Sequence, residues 1–410
     1  MSILKKYTEI SVLDASEQRI SYIFDKFERI YLSFSAGKDS TLMLHLVMAE
    51  AKRRNRKIGV LLVDLEAQYK LTITHAENCI TQYKDYLDLY WVALPLSLRN
   101  AVSNYQPQWL AWDPDKKADW VRQPPGYAIT DEKYFSFFQR GMEFEEFVPE
   151  FGEWYARGQT CACLVGIRTD ESLNRFRTIA LKTKVKFEGK NYTTKITDNV
   201  YNIYPIYDWS VSDLWHYHYK NPMLPYNQIY EQMHKAGLSP AQMRICQPYG
   251  DDQRRGIWLY HILEPATWYK VVARVNGANS GSLYIQENGN MTGYRGISKP
   301  EGHTWKSFCN LLLASLPETT QKHYIVKFKH FIKWWKIRGY EDGIPDEAPL
   351  VLENKRIAPS WRRLCKVLLR NDYWCKGLAF TQPKSVAYGR YLDMKKSNAL
   401  LKAPKFTDDI

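Results

Sequence analysis

The chain has 410 residues, 45% of them apolar and 25% charged. This is ordinary usage for a folded protein of roughly two to three domains, and it excludes disorder, collagen-like repeats and coiled coil. Net charge is +13, and residues 301–410 alone carry 20 basic against 11 acidic side chains, which makes the C-terminal quarter the polyanion-facing candidate.

Apolar runs such as Ile58–Val63 and Leu311–Leu316 fall well short of the ~18 residues a bilayer demands, and the N-terminus lacks a leader pattern. No membrane partner and a cytoplasmic location are expected. Ile30–Phe34 is predicted as a strand, followed by a small polar loop and a helix from Thr41 to Arg54. Ile58–Leu65 reads as a second buried strand, Thr72–Leu87 as a helix and Tyr90–Leu94 as a third strand. The alternation predicts an α/β fold, a parallel twisted sheet with helices on both faces. Residues 96–160 form an insertion, irregular over 96–130. Over Asp131–Tyr155, Phe135, Phe138, Phe144, Phe147, Phe151 and Trp154 recur at helical spacing.

Cys161–Ile167 and Tyr201–Ile206 are the next strands, separated by a hairpin over Lys182–Thr197 that turns at Glu188-Gly189-Lys190, and Asp208–Tyr219 is helical. The strand–helix rhythm then fades. Pro317–Arg338 is a helix with Ile325, Phe328, Ile332 and Trp335 as its apolar stripe, and Ser360 caps another. The domains expected are residues 1–235 and a basic, mainly helical 236–410.

Ser35-Ala36-Gly37-Lys38-Asp39-Ser40 joins the first strand to a helix, where backbone N–H groups and the positive end of the helix dipole converge on one point. Gly37 lets the backbone approach a ligand, Lys38 adds a point charge, and Ser35 and Ser40 add neutral donors. Arg168 ends a buried strand, where open α/β sheets place ligand contacts; pairing with Glu171 is its structural alternative. Asp64 either meets ribose or a Mg²⁺-bound water or caps the next helix.

LSFSAGKDSTLMLHL (32–46) resembles the SGGKDS loop of the PP-loop ATP pyrophosphatases and, with its flanks, the 3'-phosphoadenylylsulfate (PAPS) reductase branch. Ala36 stands where that family has a glycine, a change tolerable at negative φ. Leu62-Val63-Asp64 is similar to the family segment that meets the adenosine. Gly166-Ile167-Arg168-Thr169-Asp170-Glu171-Ser172, with Arg175, resembles G-I/L-R-x-x-E-S-x-x-R. Tyr204-Pro205-Ile206-Tyr207-Asp208-Trp209, Asp213-Leu214-Trp215 and Leu224-Pro225-Tyr226-Asn227 resemble its later elements. The resemblance covers residues 25–235 and implies an adenine nucleotide alpha hydrolase-like fold. It implies ATP or PAPS, with Mg²⁺, bound by Ser33, Ser35, Ala36, Gly37, Lys38, Asp39, Ser40, Val63, Asp64, Gly166, Arg168, Glu171 and Arg175. Lys38 and Arg168 are the expected catalytic residues.

The Glu-Cys-Gly-Leu-His segment of true PAPS reductases is absent, so sulfite formation is not expected. Cys161 and Cys163 share a strand face and, with Cys246, are candidate metal ligands; buried inert thiols are the preferred reading over zinc or an iron–sulfur cluster. The region after Asn221 resembles the DUF3440-type domain of immunoglobulin-binding regulator A-like proteins, which implies DNA association and a ParB/sulfiredoxin-like protein partner. Lys333, Lys336, Arg362 and Arg363 are the expected nucleic-acid contacts, on faces opposite the apolar stripes. The function expected is cleavage of ATP at the α–β phosphate bond to adenylylate an acceptor, in nucleic-acid modification. The alternative is a non-catalytic, nucleotide-sensing, DNA-associated transcriptional co-activator.

Overall fold

The computed structural model describes residues 8–180, 184–240, 242–251, 256–278 and 297–378. The first residues of the expected 182–197 hairpin, the charged turn beyond Asp251 and the glycine-rich stretch after Ala278 lie outside them. Two compact units interleave in sequence: residues 1–96, 111–247 and 260–267 form one, and residues 97–110, 248–259 and 268–410 the other. Thus 97–110, part of the expected insertion, belong with the second unit.

In the first unit a sheet of six strands has the order β3 (Leu87–Val92), β2 (Ile58–Val63), β1 (Arg29–Ser33), β6 (Cys161–Val165), β8 (Val200–Ile203), β7 (Thr193–Lys195). All pairs are parallel except β7 with β8. Strand side chains alternate between faces. Ile30, Leu32, Val60, Leu62 and Leu164 therefore pack with α1 (Val12–Lys26), α2 (Lys38–Arg53), α3 (Lys70–Tyr83) and α6 (Val211–Lys220). Tyr31, Leu61, Cys161, Cys163 and Val200 face the other way, against Phe147, Phe151 and Tyr155 of α4 (Phe144–Ala156).

Several expectations change. Helix α1 went unread because its apolar residues are sparse. Tertiary contacts hold it: Trp209 Nε1 donates to Ser16 Oγ at 2.7 Å, and the Arg19 guanidinium donates to Pro205 O at 2.6 Å and pairs with Asp208. Helix α4 begins only at Phe144, where Glu143 and Glu146 form a capping box after Gly141 at φ 81°. Phe135 and Phe138 are buried from turns instead. The chain does reverse at Phe187–Gly189, yet the paired hairpin is Thr193–Lys195 with Val200–Ile203. Residues 96–130 hold a short antiparallel pair, β4 (Ser97–Arg99) with β5 (Gln108–Leu110).

In the second unit, α10 (Trp305–Ala314), α11 (Glu318–Lys336) and α13 (Trp361–Leu369) pack around Trp305, Phe308, Tyr324, Phe328, Phe331, Leu364 and Leu368. The buried face of α11 is rotated from the expected stripe toward Tyr324, Lys327, Phe328 and Phe331. Among the described residues no helix is long and apolar enough to cross a membrane.

Candidate nucleotide-binding site

The chain leaves β1 through α2 toward β2, and leaves β6 through α5 (Leu173–Ala180) toward β8 on the opposite side. Neighbouring parallel strands whose connections diverge open a crevice at their C-terminal ends, the place where open α/β sheets bind ligands. Both the Ser35–Ser40 loop and the Gly166–Ser172 segment land there.

Gly37 is the N-cap of α2, and Ser40 organises the turn. Its Oγ accepts from Gly37 N at 3.1 Å and Ser35 N at 3.3 Å. Tyr230 in α7 (Ile229–Lys235) accepts from Lys38 N at 3.1 Å, and Asn227 Nδ2 donates to Ala36 O and to Thr72 Oγ1, both at 3.0 Å. The Y-N-x-I-Y spacing of 226–230 is thus a clamp on the loop. The sequence reading missed Asn227 and Tyr230 as site residues, although that spacing was their signal. Burial pushes the Tyr230 phenol up, keeping it neutral. Lys38 Nζ lies 3.6 Å from the Asp39 carboxylate and 5.4 Å from the Tyr230 ring centre. The amides of Asp39 and Ser40 lie in the first helical turn, before the intrahelical ladder begins, and face the anion end of the dipole.

Ala36 corrects one expectation: its φ is +55°, in the left-handed region rather than the negative one. An alanine there costs roughly 1–2 kcal/mol relative to the right-handed conformation. The Asn227 bond to Ala36 O helps hold it.

Gly166 and Arg168 carry the other side. A Cβ on Gly166 would lie 3.0 Å from Asp39 C, Asp39 O and Ser40 N, all backbone. Glycine is therefore what allows β6 to close on the start of α2. Gly166→Ala is expected to cost about 1–3 kcal/mol in urea unfolding and to weaken nucleotide binding by displacing the loop; unchanged stability and affinity would refute this close approach. Arg168 is 2% exposed and pairs with Asp39 and Asp170, while its backbone N–H donates to Glu171 at 3.3 Å. Burial pulls the guanidinium pKa down, but Asp39 and then Asp170 more than offset this, and the net shift is upward. The expected structural pairing with Glu171 is replaced by Asp39. Glu171 instead lies 3.7 Å from the exposed Arg175.

Asp64 is fully buried and used. One carboxylate oxygen accepts from Glu66 N at 3.0 Å and from Arg122, the other from Trp91 Nε1 at 2.7 Å, and Asp64 O accepts from Trp112 Nε1 at 2.6 Å. Glu66 accepts from Trp112 N and Val121 N. The ribose or Mg²⁺ contact expected of Asp64 thus meets a side chain that anchors residues 112–122 to the end of β2. Beside it Lys70, Ile73, Glu77, Arg122 and Pro124 line a cavity of about 330 Å³, within the size range of small-molecule sites. Ser33 and Val63 are half-buried at their strand ends.

Mg²⁺ is usually held by one or two carboxylates besides phosphate oxygens. Asp39 and Asp64 are each paired with an arginine. Among the described residues no group of three or more His, Cys, Asp or Glu could hold a metal ion. The residues present suit a Mg²⁺ that arrives on the phosphates of a nucleotide. Cys161 and Cys163 lie in the α4-facing core, where burial pushes both thiols up, Cys163 to about 12. Cys246 is exposed, beside Ile245, whose side chain approaches Gly37.

The expected nucleic-acid residues do not share a face. Lys333 and Lys336 are exposed on α11. Arg362 instead pairs with Glu347 and Glu353, both at 3.0 Å, and Arg363, 4% exposed, donates to Ala358 O at 2.7 Å and Gly377 O at 3.1 Å. Helix α13 spends these two arginines on its own packing, because buried carbonyls and carboxylates there need donors.

Residues 29–260 match the phosphoadenosine phosphosulfate reductase domain, and residues 237–345 match a domain of unknown function, DUF3440. The uncharacterized protein YbdN of Escherichia coli (strain K12) is 44% identical over 394 residues, 95% of this chain and 96% of YbdN. Among solved structures, PAPS reductase from Candida auris, in a phosphate complex, covers 59% of this chain and 90% of its own at 14% identity and TM-score 0.29. Candida glabrata FMN adenylyltransferase with FAD and inorganic pyrophosphate covers 52% and 59% at 14% identity and TM-score 0.30. The U34-tRNA thiolase NcsA from Methanococcus maripaludis, with its 4Fe–4S cluster, covers 69% and 82% at 11% identity and TM-score 0.30. With more than half of its length matched by the first of these domains, the chain belongs to the phosphoadenosine phosphosulfate reductase domain family, within the PP-loop superfamily, and carries a DUF3440 domain after it.

Proposed function

We propose that the Ser35–Ser40 loop binds the phosphates of ATP and that the chain cleaves the α–β bond, adenylylating an acceptor in the cytoplasm. The observation that carries this reading is the loop itself: a turn at the switch point of the sheet, with the first-turn amides of α2 and the Lys38 ammonium at one point. In the step proposed, a nucleophile on the acceptor attacks the α-phosphorus, the bond to the bridging oxygen breaks, and pyrophosphate leaves with the electron pair. Lys38 and the loop amides stabilise the charge gathering on pyrophosphate. Arg168 reaches the α-phosphate by exchanging Asp170 for a phosphate oxygen while Asp39 keeps it oriented.

Lys38→Ala is expected to weaken ATP binding roughly 10- to 100-fold, the worth of a charge-assisted contact. Its stability should change by less than about 1 kcal/mol, because Lys38 meets only Asp39 as an ion-pair partner at 3.6 Å. Wild-type affinity in calorimetry would remove the loop from the binding site. The double pairing of Arg168 favours a second reading, in which nucleotide binding switches a DNA-associated regulator and nothing is turned over. Pyrophosphate release from ATP separates the two, since a sensor binds ATP and releases none.

A further inference from the structure

A second concave, charged site lies wholly within the DUF3440-containing unit. Arg363 and Lys366 on α13, and Arg370 just past its end, stand at i, i+3 and i+7, one side of a helix. Arg356 joins them from the preceding turn, where its backbone is held at φ 63°. These four cations and the carboxylates of Glu353 and Asp372 line one cavity of about 180 Å³.

The two carboxylates do not balance the four cations, because both are committed elsewhere. Asp372 accepts from Lys376 N at 3.0 Å and Gly377 N at 2.7 Å. Glu353 accepts from Ser360 Oγ at 2.6 Å and Ala348 N at 3.0 Å, and its second oxygen pairs with Arg362, which stands outside the cavity. Arg363 is fixed as a floor by the carbonyls of Ala358 and Gly377. Lys366 is pulled below its ordinary pKa by burial and then by Arg370, which places these two charges within each other's field.

We infer that this cavity is an oxyanion site taking one phosphate-class group. Like charges crowded into a half-buried concavity repel one another, and a dianion there converts the repulsion into charge-assisted hydrogen bonds. Guanidinium forks match tetrahedral oxyanions, and the lysine adds a point charge. The volume suits a single phosphate rather than a whole nucleotide, since drug-sized ligands occupy about 300 Å³ or more. The group is either free inorganic phosphate or one backbone phosphate of a nucleic acid.

The test uses the full-length chain carrying Lys38→Ala, so that the loop in the other unit contributes little. Inorganic phosphate is titrated by calorimetry, and a short single-stranded oligonucleotide by fluorescence anisotropy. The double variant Lys366→Ala/Arg370→Ala is expected to weaken whichever probe binds roughly 10-fold or more. Arg363 is left intact because it holds buried carbonyls. If the double variant melts early, Lys366→Gln alone, which keeps the side-chain length, carries the comparison. Phosphate binding alone identifies a free anion as the ligand, and oligonucleotide binding competed by phosphate identifies the backbone. Equal binding by parent and variants, or no binding of either probe at low salt, overturns the assignment.

Discussion

Arg168→Ala is expected to destabilise the protein by about 3–5 kcal/mol, the cost of breaking a buried ion pair from one side. The substitution leaves Asp39 and Asp170 without their guanidinium at a site where Arg168 is almost fully covered. It also cuts the link between the end of β6 and the first turn of α2, so nucleotide affinity should fall with stability. Urea unfolding of Arg168→Ala, Asp39→Asn and the double variant checks this. The double variant should lose less than the sum of the singles, because the stranded carboxylate is the main cost. A loss under about 1 kcal/mol in Arg168→Ala would show that the pair is solvated rather than buried.

Acidification is expected to unfold the chain well before its carboxylates are fully protonated. Three histidines lie together beneath the loop. His45 on α2 contacts Tyr83 and Pro225 O, His75 on α3 contacts Thr41, and the His218 ring from α6 stands 5.9 Å from that of His45. Burial pushes His45 and His218 down to about 4 and His75 to about 3. In the unfolded chain such rings protonate near pH 6.5. Between about pH 6.5 and 4 the unfolded state therefore binds more protons, and stability falls as pH falls, by up to about 1.4 kcal/mol per pH unit for each ring. It is fully present only above about pH 6.5. Glu153 and Glu353, held below the usual carboxylate range despite their burial, add a further loss below about pH 4.5.

Melting temperature measured from pH 7.5 to 4.5 should drop steeply on the acid side. His218→Phe should remove part of that slope without loss at neutral pH. Neither ring nitrogen of His218 has a hydrogen-bond partner, and its neighbours Trp215, Tyr217 and Tyr226 are aromatic. A flat profile over this range would rule out buried neutral histidines.

Local information carried much of the fold. The strand-loop-helix over 29–53, the parallel strands and the capped helix at Ser360 follow from spacing, β-branched runs and a capping residue, each decided within a few neighbours. Placement of the loop beside Gly166 and Arg168 was also legible, because motifs at the ends of adjacent parallel strands meet at the switch point of a sheet.

Tertiary structure decided which charges stay available. A sequence gives the type of a side chain but not its partner 50 or 130 residues away. Asp64 is consumed by Trp91 and Arg122, and Arg168 turns to Asp39 rather than to Glu171, four carboxylates and two arginines being sorted by burial rather than by spacing. The same cause redirects Arg362 and Arg363 into the packing of α13 and leaves Lys366 and Arg370 on its cavity. Ala36 at positive φ was equally hidden, since local propensity disfavours that conformation and the clamp from Asn227 that helps hold it lies in a distant motif. In each case the missing information was the identity of a buried partner, fixed only once the sheet had brought distant segments together.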